Sequence, residues 1–373
     1  MGSLLLLVSF GGSILLFCAA VLARRFDRSR PAPTALDPVT IVKPLYGAEP
    51  RLIENLAGFL AQDHAAPVQL LCGMQRPDDP AIAAVEALRR THPDATIDLI
   101  VDGRRHGSNA KIGNLINMAG HIRHDIVVLS DSDIAVDRAY LGAILEALAK
   151  PGVGAVTCLY RGRADRGVWS RLGAMGIDLH FLPGALIGLA AGLARPCMGS
   201  TIALRRETLD RIGGFAAFVD ILADDHAIGE AVRGLGLEVA VPDMLVTHGC
   251  DEASFAALWR QELRWNATIA GIDPLGYAGS FILHPLPIAL LGGACIGFSG
   301  TAWAAIALAL GARGVMALRL GECPAALLLI PLRDMLSVTL FILGNFARSV
   351  DWRGARLTMT KDGRVRAETE NSE

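Results

Sequence analysis

The sequence predicts an α/β protein: a doubly wound, mostly parallel sheet, with one N-terminal transmembrane helix and a C-terminal group of membrane helices. Three observations lead there. From Thr40 to about Leu245, short apolar runs alternate with helix-length stretches, and repeated β-α-β units build parallel sheets. The 373 residues are 52% hydrophobic and 19% charged, with a mean hydropathy of +0.41, too apolar for a soluble enzyme of this size. Ser3 to Ala23 carry no charge and end against arginines, as a single span does.

The elements follow in order. Residues 1–24 are the N-terminal span; a signal peptide would carry its basic residues ahead of the apolar run, not after it. Positive-inside counting then places the amino terminus outside and everything after Arg24 in the cytoplasm. Residues 25–39 form a basic linker kept extended by Pro31, Pro33 and Pro38. Residues 40–275 form the catalytic domain, with interfacial helices. Its strands are expected at Val42–Leu45, Val68–Cys72, Ile97–Val101, Ile126–Leu129 and Val153–Cys158, each short and rich in branched apolar residues. Helices are expected at Leu52–Gln62, Ile82–Thr91 and Lys111–Ala119. Phe181–Ala194 is apolar but short for a span, and reads as an interfacial or pocket-lining helix. Residues 276–350 form the C-terminal transmembrane region. Phe281–Ala312 is broken by Pro285 and Pro287, and Cys323–Phe346 contains Arg333 and Asp334, charges that are costly at membrane depth unless paired. One helix per run returns the tail to the cytoplasm; a hairpin within Phe281–Leu318 places it outside. Residues 351–373 are a polar tail, expected to fray from Thr358.

A net charge of −2 gives no electrostatic case for nucleic acid. Seven cysteines without a Cys-x-x-Cys indicate neither zinc nor a disulfide framework, and a reducing cytoplasm is the simplest setting. No Gly-x-Gly-x-x-Gly follows the first strand and no Walker loop is present.

Candidate chemistry begins where Ile126–Leu129 ends. Asp131 and Asp133, two apart beyond the carboxyl end of a strand, point into the crevice where such sheets bind ligands. Hard oxygen ligands at that spacing suit Mg2+ or Mn2+ carrying a diphosphate, although Asp-Ser-Asp is also an ordinary turn. Asp78 and Asp79 follow another strand; one carboxylate can accept from a uracil or ribose, or simply cap the next helix. Lys111, in Asn109-Ala110-Lys111-Ile112-Gly113-Asn114 at a helix start, can meet a phosphate or lie in solvent. Asp224-Asp225 opens a helix; capping accounts for one carboxylate and leaves the other as a candidate base. Gln261, Arg264 and Trp265 share one helical face suited to a diphosphate and a sugar ring, while Trp259 and Trp265 could instead anchor at a membrane interface.

In this order and spacing, Asp78-Asp79-Pro80, Asp131-Ser132-Asp133, Asp224-Asp225 and Gln261-x-x-Arg264-Trp265 resemble the processive-type family 2 and the family 21 glycosyltransferases. More narrowly, Val42-Lys43-Pro44-Leu45-Tyr46-Gly47, Asp78-Asp79-Pro80-Ala81-Ile82 and Asn109-Ala110-Lys111-Ile112-Gly113-Asn114-Leu115 resemble the ceramide glucosyltransferase family, which includes bacterial relatives that glycosylate hopanoid lipids. The likeness runs from about Pro38 to Trp352-Arg353-Gly354. It implies a cytoplasmic GT-A domain, a UDP-sugar donor, a lipid acceptor, a divalent cation and inversion at the anomeric carbon. By the same resemblance, Asp79 contacts the uridine, Asp131 the nucleotide and Asp133 the metal. Asp225 is the base, and Gln261, Arg264 and Trp265 bind the diphosphate and acceptor region. Lys43 and Lys111 join the sugar-nucleotide site, while Asp78, Asp224 and His180, which the resemblance sets against a family histidine, are secondary candidates.

The function so expected is transfer of a hexose, glucose or N-acetylglucosamine, to the hydroxyl of a ceramide or a hopanoid such as bacteriohopanetetrol. A composition rich in Ala, Gly and Arg is compatible with a bacterium of high genomic GC, where a hopanoid acceptor fits, and the bacterial inner membrane is the expected location. Two other readings use the same residues: a polysaccharide synthase of the cellulose or chitin type, for which the apolar runs look too few, and a non-catalytic membrane protein that binds sugar nucleotides.

Overall fold

The computed structural model describes residues 1–27 and 36–347 and the backbone of three later strands. Arg28, Arg30, Pro31 and Pro33 of the linker, and Arg348, Arg353, Gly354, Lys361 and Arg364 near the C-terminus, lie outside the described residues. Each of the five branched apolar runs becomes a strand: β1 (Val39–Pro44), β2 (Val68–Met74), β3 (Thr96–Val101), β4 (Ile126–Leu129) and, after the two-residue β5 (Ile134–Ala135), β6 (Val153–Thr157). Four further strands complete the chain's first 250 residues: β7 (Leu159–Ala164), β8 (Ile202–Arg205), β9 (Glu238–Ala240) and β10 (Leu245–Cys250).

Seven strands form the main sheet in the order β3-β2-β1-β4-β8-β6-β9. All run parallel except β8, which is antiparallel to both β4 and β6. Because side chains alternate across a strand, Ile41, Leu70 and Val128 enter one core with the Leu52–Leu60, Ala81–Thr91 and Tyr140–Leu148 helices. Their neighbours Val42, Leu71 and Val127 enter the other, against the Ala110–Ala119 and Asp224–Gly234 helices. Strand order reverses between β1 and β4, and the crevice of such a sheet opens at that switch, beyond the strand ends.

A second sheet, β5-β10-β7, was not evident from the sequence. Its strands carry Arg161, Arg163, Thr247 and His248 among their apolar residues, so neither reads as a buried run. It pairs β10 parallel to β7 and antiparallel to β5, setting His248 opposite Ile134.

Among the described residues, four helical stretches are long and apolar enough to cross a membrane: Gly2–Phe26, Val168–Ala190, Gly300–Arg319 and Pro324–Gly344; a pair bent by 68°, Pro274–Leu283 and Pro285–Ile296, adds a fifth if it forms one span. The expected short helix at Phe181–Ala194 is thus corrected. Its helix begins at Val168, because Asp178, which interrupts the apolar pattern, is buried and accepts the Gly162 N–H at 2.7 Å. One π-helical turn, Ile177–Phe181, lies within it. Between Phe281 and Leu318 the chain forms two helices, Pro285–Ile296 and Gly300–Arg319, rather than one. Near the C-terminus the backbone forms β11 (Ser349–Trp352), β12 (Ala355–Met359) and β13 (Val365–Ala367), paired antiparallel; most of the stretch expected to fray from Thr358 lies outside the described residues.

The first helix packs on the C-terminal ones through Leu6, Leu286, Ala289, Ala302, Ala305 and Ala309, and the Ser9 hydroxyl donates to the Pro285 carbonyl at 2.8 Å. A Cβ on Gly12 would collide with the Ile282 carbonyl, so only glycine allows the close approach. Gly12→Leu is expected to destabilise the protein by about 1–3 kcal/mol, read as a lower thermal midpoint in detergent.

Candidate active site

The site is assembled from the ends of β1, β4 and β8. Leu129 of β4 lies opposite Ile202 of β8, so the residues just ahead of β8 run beside those just after β4. There the Asp131 N–H donates to the Gly199 carbonyl at 3.2 Å, and the Gly199 N–H donates to Asp225 Oδ2 at 3.0 Å. A Cβ on Gly199 would stand 2.6 Å from Asp131 Oδ2 and 3.1 Å from Lys111 Nζ. A residue without a side chain therefore lets two distant carboxylates meet.

Lys111 closes the arrangement. Its Nζ lies 2.8 Å from Asp131 Oδ1 and 3.2 Å from Asp224 Oδ2. Asn109 presents it: the Asn109 carboxamide oxygen caps the Ala110–Ala119 helix by accepting the Ile112 N–H, and its Nδ2 donates to the Ile221 carbonyl at 2.7 Å and Asp224 Oδ1 at 3.3 Å. The lysine is thus neither in solvent nor free. Neither Asp224 nor Asp225 is the helix cap, a position held by Ala223; both lie in the first turn, where carboxylates are favoured by the helix dipole.

Asp133 is held differently. Its Oδ2 is 3.3 Å from His248 Nε2, while Oδ1 is buried with no hydrogen-bond partner among the described residues. The Gly249 N–H donates to the Asp133 carbonyl at 2.8 Å, which locks β10 onto this turn. Ser132 donates to Glu49 Oε1 at 2.6 Å, bringing the loop after β1 to the same edge.

Burial governs the proton affinities. Asp133 is pushed up to about 7, by burial first and then by Asp131; Glu49 likewise rises to about 7, by burial and then Asp133. Burial, followed by Asp224, also raises Asp225 against the opposing Lys111 and the N–H groups of His226 and Gly199. Burial would lower Lys111, but Asp131 and Asp224 outweigh it and hold the ammonium charged. His248 is lowered by burial, only partly offset by nearby carboxylates. Burial thus acts on both partners of the His248–Asp133 contact, raising the carboxyl and lowering the imidazole.

The remaining candidates separate. Asp79 is buried, accepting the Gly47 N–H at 3.0 Å and the Ala81 N–H at 2.9 Å; it ties the loop after β1 to the helix after β2. Asp78 is exposed and paired with Arg76 at 2.5 Å. Lys43 has no exposed surface: it lies beneath the crevice, donating to the Asp131 carbonyl at 2.7 Å and Ser130 Oγ at 3.1 Å, over the Phe59 ring. Burial brings its pKa down to about 7. His180, on the π-helical turn, joins Asp334, Arg313 and His284 among the apolar helices.

Gln261, Arg264 and Trp265 lie on the Phe255–Ile272 helix. Arg264 donates to Gln261 Oε1 at 3.1 Å, and Trp265 stands edge-on to His248, ring centroids 5.6 Å apart. Trp259 turns the other way, toward Phe255. His248, Glu49 and Gly199 were not singled out from the sequence. His248 gave one signal, a lone histidine inside an otherwise apolar and small-residue run, Val246-Thr247-His248-Gly249.

Among the described residues, no three His, Cys, Asp or Glu side chains form a ready-made metal cage. Mg2+ or Mn2+ bound with a diphosphate needs less than that, one or two carboxylates with phosphate oxygens completing the shell. Asp131, Asp133 with its unpartnered Oδ1, and His248 fit that demand in donor chemistry.

The sequence profile described as Glycosyl transferase family 21 matches residues 4–365. Ceramide glucosyltransferase 1 of Caenorhabditis elegans is 24% identical over 219 residues, covering 58% of this chain and 46% of that protein. Ceramide glucosyltransferase 3 of the same organism is 22% identical over 272 residues, covering 69% and 58%. The chain thus spans about half the length of these curated relatives. Among solved structures, a mannosyltransferase from Pyrobaculum calidifontis in complex with GDP-Man and Mn2+ superposes with a TM-score of 0.52 at 24% identity, over 92% of this chain and 96% of that one. The shared architecture is the GT-A fold.

The raised Asp133 carries a stability signature. An unfolded carboxyl ionises near its ordinary value, 3.8, and the folded one only near about 7, so the folded state binds the extra proton between them and loses stability as pH rises through that window. Asp133→Asn is expected to raise the metal-free thermal midpoint at pH 8, with the gain shrinking toward pH 4, as followed by scanning fluorimetry.

Proposed function

The chain belongs to glycosyltransferase family 21, and from that premise we propose that it is a membrane-bound, inverting hexosyltransferase, moving glucose or N-acetylglucosamine from a UDP-sugar to the hydroxyl of a membrane lipid of the ceramide or hopanoid type. Residues 40–275 are its catalytic domain, on the cytoplasmic face of a bacterial inner membrane. The observation that carries the reading is the junction of Asp131, Lys111, Asp224, Gly199 and Asp225 at the carboxyl edge of the sheet, next to Met198, which packs on the cluster holding Leu182 and Leu186 of a stretch long and apolar enough to cross a bilayer.

Asp225 is the base. Its two oxygens each accept one backbone N–H, from Gly199 and His226, which fixes the carboxylate and leaves lone pairs for an acceptor hydroxyl. Its raised proton affinity makes it a better base than a solvated aspartate. A single displacement then forms the bond from the acceptor oxygen to the anomeric carbon as the bond to UDP breaks, and the hydroxyl proton passes to Asp225. Arg264 and Gln261 face the charge that develops on the departing diphosphate, and Lys111 screens the carboxylates from it. Asp131, Asp133 and His248 would hold Mg2+ or Mn2+, which when bound supplies positive charge against the diphosphate. A site beside the bilayer suits a lipid acceptor, whose head group can react while its apolar body stays in the membrane.

Release of UDP from UDP-glucose or UDP-N-acetylglucosamine by membranes carrying Asp225→Asn is expected to fall by about 100-fold or more; rates equal to the unsubstituted protein would remove the mechanism. Gly199→Ala, which crowds Asp131 and Lys111, is expected to cost about 10- to 100-fold in the same assay. Mass spectrometry of lipids from cells with and without the protein identifies the acceptor.

A further inference from the structure

Two adjacent charges on the helix Ile330–Gly344 reach in different directions. Asp334 Oδ1 lies 3.0 Å from Arg313 Nε and 3.0 Å from His180 Nε2, inside the apolar bundle. Arg333, also buried, turns to the Phe255–Ile272 helix and forms a forked bridge with Glu262, 2.6 Å at each oxygen. It donates further to the Leu172 carbonyl at 3.0 Å, and to Ser337 Oγ at 2.8 and 3.0 Å. One guanidinium thus joins three helices: its own, the Val168–Ala190 stretch and the one that carries the Gln-x-x-Arg-Trp face.

Glu262 sits between Gln261 and Arg264 in that motif. It is buried toward the bundle, while one turn on, Trp265 meets His248, which contacts Asp133. A buried ion pair adds little net stability over an apolar pair of similar volume. What a fork of two parallel hydrogen bonds adds is fixed orientation. We propose that Arg333 is a positioning residue for the transfer reaction: from within the membrane bundle, through Glu262, it sets the rotation and height of the Phe255–Ile272 helix so that Gln261, Arg264 and Trp265 meet the Asp133–His248 side of the crevice. The inference rests on the reading of that helix as part of the sugar-nucleotide site.

The test uses the full-length protein in detergent with Arg333→Met, Arg333→Lys, Glu262→Gln and the double variant Glu262→Gln/Arg333→Met. Thermal midpoint, kcat and donor KM for UDP release, and calorimetric binding of UDP with Mn2+ are measured for each. Either neutralising single variant leaves a buried group without its partner and lowers the midpoint. The double variant removes both charges and regains the midpoint, yet kcat stays about 100-fold down, with a smaller rise in donor KM, because the lost contacts act on the departing diphosphate. Arg333→Lys keeps the charge without the fork and is expected to retain the midpoint with a reduced kcat. A double variant that recovers wild-type kcat and wild-type UDP binding along with its midpoint would overturn the proposal, since the bridge would then only balance charge. An unsubstituted protein that neither releases nor binds UDP would instead sink the glycosyltransferase reading.

Discussion

Asp131, Asp224 and Asp225 approach one another across the end of a sheet, and their mutual repulsion in a buried crevice would separate the elements that carry them without the Lys111 ammonium, 2.8 and 3.2 Å from two of them. Burial alone would strip that ammonium of its proton; two carboxylate neighbours more than reverse the tendency. The contact is also mechanical. It ties the Asn109-capped helix to the end of β4 and to the start of the Asp224–Gly234 helix, and Gly199 completes it by bringing a bare backbone between Asp131 and Asp225. Asp133 stays outside this neutralised group, with one oxygen lacking a protein partner. The same crevice therefore contains a region balanced by lysine and a region that still accepts positive charge.

Around this centre the fold couples a soluble-type sheet to apolar helices by direct side-chain contact. The small second sheet places His248 between Asp133 on one side and the rings of Tyr160 and Trp265 on the other, and Tyr160 stacks on Phe181 of the Val168–Ala190 stretch. Charges within the apolar helices are matched in pairs, Arg333 with Glu262 and Asp334 with Arg313, as the cost of an isolated charge there requires. The pairs join helices remote in sequence, so they carry geometrical information that apolar packing, which is non-directional, does not.

Much of this was legible beforehand. The strands at Val68–Met74 and Ile126–Leu129 and the helix at Ala81–Thr91 fell where branched apolar runs and 3.6-residue spacing put them. Arg333 and Asp334 stood out as charges costly at membrane depth unless paired or near an interface, and each has a partner on another helix, Glu262 and Arg313. What escaped notice had weak local signals. β7 and β10 are half polar, and the apolar helix containing Phe181 looked short because Asp178 interrupts it, although Gly162 satisfies that carboxylate. Glu262 looked like filler inside a motif read for its Gln, Arg and Trp. That Lys43 lies buried beneath the crevice and His180 among the apolar helices had no local signal either.

From its amino acids alone the chain determined a doubly wound sheet, apolar helices at both ends and a set of acidic clusters beyond strand ends, because hydrophobic periodicity and turn chemistry act over a few residues and are written locally. Only tertiary structure decided which carboxylate is neutralised by Lys111 and which is left open, that His248 stands beside Asp133, and that a membrane-helix arginine grips the Gln-x-x-Arg-Trp helix. Those outcomes depend on burial and on separations of a few ångströms between residues as far apart in the chain as Glu262 and Arg333, and no local pattern encodes either.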